Sequence, residues 1–257
     1  MAIDKQYKAT IEQIRLDSED YADEQMQDIY NLQNDKLDAV HAMIGLIYIK
    51  YAVDGLLNLT GKQKTTILKD VNDKLSKIVK DLGDAEVKKV SSILAKTYKD
   101  TYYKNAFVMD KLGISSNFNI LKEEFIDTAI NREYLGETFS SRIWADKQFM
   151  MDKLYSLIKD ASTGGTTIDQ IGKQIKDTFG VTAYESRRLI RTEVAKNAVD
   201  AQEQIGKDAG CEQVMWSATL DMKTAEYDAS LDGQVWGIDE DHPQPVYDTH
   251  PFDVASW

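Results

Sequence analysis

Residues 187–236 read RRLIRTEVAKNAVDAQEQIGKDAGCEQVMWSATLDMKTAEYDASLDGQVW, and the fold turns on how this stretch is parsed. Ile190, Val194, Ala198, Ala201 and Ile205 recur at i, i+4, i+8, i+11 and i+15, which predicts a helix with one buried stripe. The alanines in its second half imply close approach of a neighbour. Gly210 supplies the helix stop. Beyond it the period changes to two: Val214, Trp216, Ala218 and Leu220 fall on one side of a predicted strand over 213–220. A polar stretch, Asp221 to Asp228, reads as a turn or a single helical turn. Asp232-Gly233 then reads as a hairpin turn leading into Gln234-Val235-Trp236. No catalytic motif lies inside the stretch, so it reads as a structured module with a charged seam.

The seam is made of arginine. Arg187, Arg188 and Arg191 are half of the chain's six arginines. Arg187 and Arg191 share a helix face and repel unless an acid lies between or opposite them. Arginine in a lysine-rich chain points to forked pairing with carboxylate or phosphate. Two partners fit, the acidic C-terminal segment and DNA phosphates. Residues 212–257 hold ten acids against one base, Lys223, and so carry −9 of the chain's −12. That charge, just downstream, favours the first partner. Such a segment does not grip nucleic acid through phosphate neutralisation; it suits a basic surface, a cation or a basic part of the same chain.

Upstream, residues 1–160 hold no proline and few glycines, so long helices are predicted. The expected spans are about 4–34, 36–59, 62–82, 84–112 and 120–131. Ile67, Val71, Leu75 and Ile78 form a core face on the third. Tyr98, Tyr102, Tyr103 and Phe107 form an aromatic patch on the fourth, suited to core or interface packing. After Gly136 another helix carries Ile143, Met150, Leu154, Leu157 and Ala161 on one stripe. The Ser162–Gly165 loop ends it. A capping box at Thr166 and Asp169 opens the next helix, which is expected to stop at Gly180. A second box, Thr182 with Glu185, then opens the arginine helix.

Composition narrows the class. A chain of 257 residues can bury a sizeable core in one or two domains. One cysteine, Cys211, excludes an internal disulfide. The charged start has no apolar h-region, so no signal peptide is expected, and the most apolar run, Ala42–Ile49, is far below the ~18 residues a membrane span requires. A soluble protein with no membrane association is expected. All three prolines and two of three histidines fall in the last sixteen residues, so that tail is expected to be extended.

The order GETFSSRIW, a helix ending in TFG, RRLIRTEVAKNAVDAQ, WSATLDMKT, LDGQVW and THP resembles the head-morphogenesis, or minor capsid, family of tailed phages, which includes the phage Mu F-like minor head proteins. The resemblance covers about Gly136 to Pro251. Arg191, Thr192, Glu193, Trp216, Asp221, Thr224, Leu231, Asp232, Gly233, His250 and Pro251 stand at the family's characteristic positions, beside Arg187 of the seam. The chain departs from relatives that carry cysteine or histidine where it has Ala225 and Asp228. Another departure follows the final His-Pro, where the family's Asn-Cys-Arg-Cys is replaced by Phe252, Asp253, Val254 and Ala255. A structural zinc needs four Cys/His ligands, so none is expected. A hard cation held by Asp221, Asp228, Asp232 and Asp253 is the lesser alternative to plain Arg–Asp pairing.

The resemblance implies a non-enzymatic virion protein without cofactor, made in the host cytoplasm and placed inside the head near the portal at low copy. Its implied partners are the portal protein, and beyond it major capsid or scaffolding protein and packaged DNA. Rival readings are a DNA-binding internal virion protein and, less favoured, a metal-dependent nuclease or toxin-related protein. Some relatives carry toxin domains behind this module; with the sequence ending at Trp257, none is expected here. The expected fold is mainly α: a long-helical region over 1–133, a helical part of the module over 134–210, and a small acidic part over 211–257 with a short antiparallel sheet.

Overall fold

The computed structural model describes residues 5–114, 120–217 and 226–240. Among them the fold is mainly α, as the sequence predicts. The order is α1 (Lys5–Tyr51), β1 (Ala52–Val53), β2 (Leu56–Leu57), α2 (Gly61–Lys111), α3 (Glu123–Ile130), α4 (Phe139–Ala161), α5 (Ile168–Asp208), β3 (Gln213–Met215), α6 (Glu226–Leu231) and β4 (Val235–Gly237). Two small antiparallel sheets pair β1 with β2 and β3 with β4.

Three helices are longer than their sequence punctuation predicts. The expected break near Asn34 is absent because a buried stripe passes straight through it: Met26, Ile29, Gln33, Val40 and Ile44. In α2 the stripe Val71, Leu75, Val79, Leu82, Glu86 and Val90 likewise runs past Gly83. Gly83 marks a contact, since a Cβ there would lie 2.6 Å from Cη2 and Cζ3 of the Trp144 ring. In α5, Ile171, Ile175, Phe179, Thr182, Ser186 and Ile190 carry burial across Gly180. Gly180 is not in the left-handed region, and Thr182 caps nothing; its hydroxyl donates to the Thr178 carbonyl at 3.1 Å. Helix length follows the uninterrupted buried face, which outweighs about 1 kcal/mol of glycine cost.

The turns also moved. The helix expected to reach Leu59 ends at Tyr51, and Asp54-Gly55 turns the chain into β2 with φ of 50° and 80°. Two positive φ values in a two-residue loop are the I′ geometry that Asp-Gly favours. Asp232-Gly233 is no hairpin; it closes α6, with the Gly233 amide donating to the Trp216 carbonyl and the Gln234 amide to the Leu231 carbonyl, both at 2.9 Å. Only Gly233, at φ 78°, takes the left-handed conformation, and Asp232 does not, which suits a helix end and not the two-residue hairpin turn. The α5 capping box sits one residue later than expected. The Thr167 amide donates to Gln170 Oε1 at 2.9 Å and the Gln170 amide to Thr167 Oγ1 at 3.3 Å. On α4 the buried stripe takes Ile158 in place of Leu157. Thr138 caps that helix by accepting from the Ser141 amide.

The chain gathers into two compact units, neither contiguous in sequence. The first comprises 1–22, 92–132 and 190–257. Its buried apolar residues include Ile14, Leu94, Tyr98, Tyr102, Ile126, Ile130 and the predicted α5 stripe from Ile190 to Ile205. Tyr103 and Phe107, from the predicted aromatic patch, face solvent instead. The second comprises 23–91 and 133–189. Its core joins Val40 and Ile44 of α1, Leu75 and Leu82 of α2, Met150 and Leu154 of α4, and Ile171, Ile175 and Phe179 of α5.

Candidate functional site: the charged faces of helix α5

In the second unit, the α5 segment presents Arg187 and Arg188. Arg187 Nη2 lies 3.3 Å from Asp23 Oδ2 of α1, and both side chains are more than a third exposed. Arg188 pairs within its own helix, with Nη2 2.8 Å from Glu185 Oε2. Between them Ser186 is buried; it accepts from Gln33 Nε2 at 3.0 Å and donates to the Thr182 carbonyl at 2.9 Å.

In the first unit, Arg191 Nη2 stands 4.0 Å from Glu19 Oε2. Thr192 is half-buried. Glu193 turns inward and is 2% exposed. Its carboxylate lies 3.5 Å from Lys196 Nζ, which also donates to the Arg132 carbonyl at 2.9 Å. Arg132 in turn pairs with Asp200 one helical turn further along. Asn197 Nδ2 donates to the Leu94 carbonyl of α2 at 2.6 Å. Burial pushes the Asp200 carboxyl above its ordinary range, against the pull of Arg132 and Lys196. The signature Arg-Thr-Glu therefore splits by face. Its arginine meets α1, and its glutamate meets Lys196, which donates to the backbone that follows α3.

The carboxylates found beside Arg187 and Arg191 come from α1, where the charge distribution pointed to the C-terminal segment. Within that segment Asp232 Oδ1 lies 3.9 Å from Lys8 Nζ, again on α1. Trp216 and Gly233 meet through the backbone, and the Trp216 amide also donates to the Gln234 carbonyl at 2.9 Å. They extend the β3–β4 pairing, whose register sets Val214 opposite Trp236. Leu231 is buried and Asp232 half-buried beside them. Asp221, Thr224, His250, Pro251 and Asp253 lie outside the described residues, as does the side chain of Asp228. Among the described residues no group of three or more His, Cys, Asp or Glu is placed to hold a metal ion. No helix among them is long and apolar enough to cross a membrane.

One constellation was not anticipated. In the second unit Lys147 of α4 and Glu86 of α2 are each 1% exposed and meet at 2.7 Å. A signal was present: Lys147 lies on the stripe of Ile143, Met150 and Leu154, and a charge on a buried stripe demands a buried partner. Nothing in sequence spacing selects Glu86 as that partner.

Residues 152–253 match the family described as Phage Mu protein F like protein, a span that includes every signature residue from Arg187 to Pro251. The chain is 22% identical over 211 residues to "Minor head protein GP7" of Bacillus phage SPP1, covering 80% of this chain and 68% of that one. Both comparisons support one family, the phage minor head proteins. An uncharacterized protein of Haemophilus influenzae is 28% identical over 98 residues, which are 36% of this chain and 22% of that protein. No solved structure matches the chain.

Proposed function

We propose that the protein is an internal, low-copy component of a phage head that docks on the portal protein and assists head assembly and passage of DNA. The observation that carries this reading is the similarity to the SPP1 minor head protein across most of the chain. Physical chemistry supports a docking role in preference to a DNA-binding one. Arg187 and Arg191 stand beside α1 carboxylates, and an acidic chain repels phosphate. Major capsid or scaffolding protein is a secondary partner in the same reading.

The test is co-purification of the full chain with the portal protein of the same phage, at low and high salt. Retention on portal oligomers at both supports docking; no capture at either removes it. DNA binding that falls steeply with salt and is abolished by Arg191→Ala favours the DNA-binding alternative.

A further inference from the structure

Four large apolar side chains of the first unit stay at its surface. Tyr103 and Phe107 lie one turn apart on α2, Ile120 precedes α3 and Phe125 sits in its first turn; they are 41, 61, 87 and 40% exposed. The two elements that carry them are joined by several contacts. The Leu121 amide donates to the Tyr103 hydroxyl at 2.9 Å, and the Phe125 ring stands edge-on to Tyr98, with centroids 6.1 Å apart. Lys99 of α2 pairs with Glu123 of α3 at 2.5 Å. Lys111 Nζ lies 5.2 Å from the centre of the Phe107 ring. Charge balances here, although the whole chain carries −12: residues 103–125 hold Lys104, Lys111 and Lys122 against Asp110, Glu123 and Glu124.

We infer that this aromatic surface is where two copies of the chain meet, in a two-fold symmetric dimer. Area supports a second copy as the occupant. A large side chain covers about 150–250 Å², so the four exposed fractions leave roughly 400 Å² of apolar surface, the size of patch that is often functional. Two such patches face to face bury about 800 Å². At the apolar share usual in interfaces, that corresponds to about 1,200–1,400 Å² in total, within the range of specific dimers. Charge supports it as well. An acidic chain repels its own copy over most of its surface, and a neutral patch lets two copies approach. A patch carrying both signs can be self-complementary, as a two-fold contact requires. Tyrosine and phenylalanine are also the residues that such contacts favour. The contact needs only this chain, so it stands or falls independently of docking on the portal.

The experiment is sedimentation equilibrium of the full chain from about 1 to 100 µM, wild type against Phe107→Asp and Ile49→Asp. The wild type should pass from its monomer mass of 29.1 kDa to twice that value across the range. Phe107→Asp should raise the dimer dissociation constant at least about thirty-fold, as loss of a central contact does. Ile49→Asp charges an exposed aliphatic residue of the second unit and should leave the constant unchanged. Ile120→Asp, elsewhere in the patch, should act as Phe107→Asp does, so a Phe107 variant that fails to fold leaves the inference testable. A wild type that stays monomeric at about 100 µM overturns it, because the patch then belongs to another partner. A dimer that survives both patch variants, a dimer lost with Ile49→Asp, or a mass that climbs past two copies overturns it too.

Discussion

Replacing Lys147 with methionine isolates the buried pair, because methionine keeps the unbranched shape and removes only the charge. Opposite charges about 2.7 Å apart attract by roughly 6 kcal/mol at an effective dielectric near 20. Desolvation costs several kcal/mol for each ion, so the pair as a whole adds little over an apolar pair of equal volume. Removing one member is different, because Glu86 at 1% exposure then stays buried without its counter-charge. The expected cost of Lys147→Met is about 3–5 kcal/mol. With an m-value near 3 kcal/mol/M, the urea midpoint of the full chain should fall by about 1–1.7 M. The double variant Glu86→Leu/Lys147→Met should recover most of that loss, since neither charge remains to be buried. A shift below about 0.3 M for the single variant, or a double variant less stable than it, refutes the reasoning.

Glycine substitutions test helix continuity. Gly180→Ala should stabilise by about 0.5–1 kcal/mol in thermal or urea unfolding, because the position is helical and nothing lies within 4 Å of the added Cβ. A left-handed helix stop there would make the same change destabilising. Gly83→Ala should forfeit that gain and shift Trp144 fluorescence, because the ring must move to admit the methyl group. Two charged positions on α5 should separate cleanly in urea midpoints. Arg187→Ala, in an exposed pair, costs under about 1 kcal/mol, while Glu193→Ala strands buried Lys196 and costs about 3 kcal/mol. Equal effects would show that burial does not set the ranking.

Much of the fold was legible in residue order alone. The α5 stripe from Ile190 to Ile205, the stop at Gly210, the strand start near Gln213 and the positive φ at Gly233 follow from periodicity and turn chemistry, which act over a few residues. The family resemblance was legible for a similar reason, since it rests on short motifs in fixed order. Tertiary structure decided what such local signals leave open. Gly83 and Gly180 carry a breaker's signature, yet a buried face on either side holds each within a helix. Asp54-Gly55 and Asp232-Gly233 are the same dipeptide, and the elements around them make one a hairpin and the other a helix end. Partner choice was hidden altogether: spacing marked Arg187 and Arg191 as wanting carboxylate or phosphate, but only folding brought Asp23 and Glu19 to them, and Glu86 to Lys147. An ion pair depends on distance in space, and chain separations of more than sixty residues give sequence no measure of it.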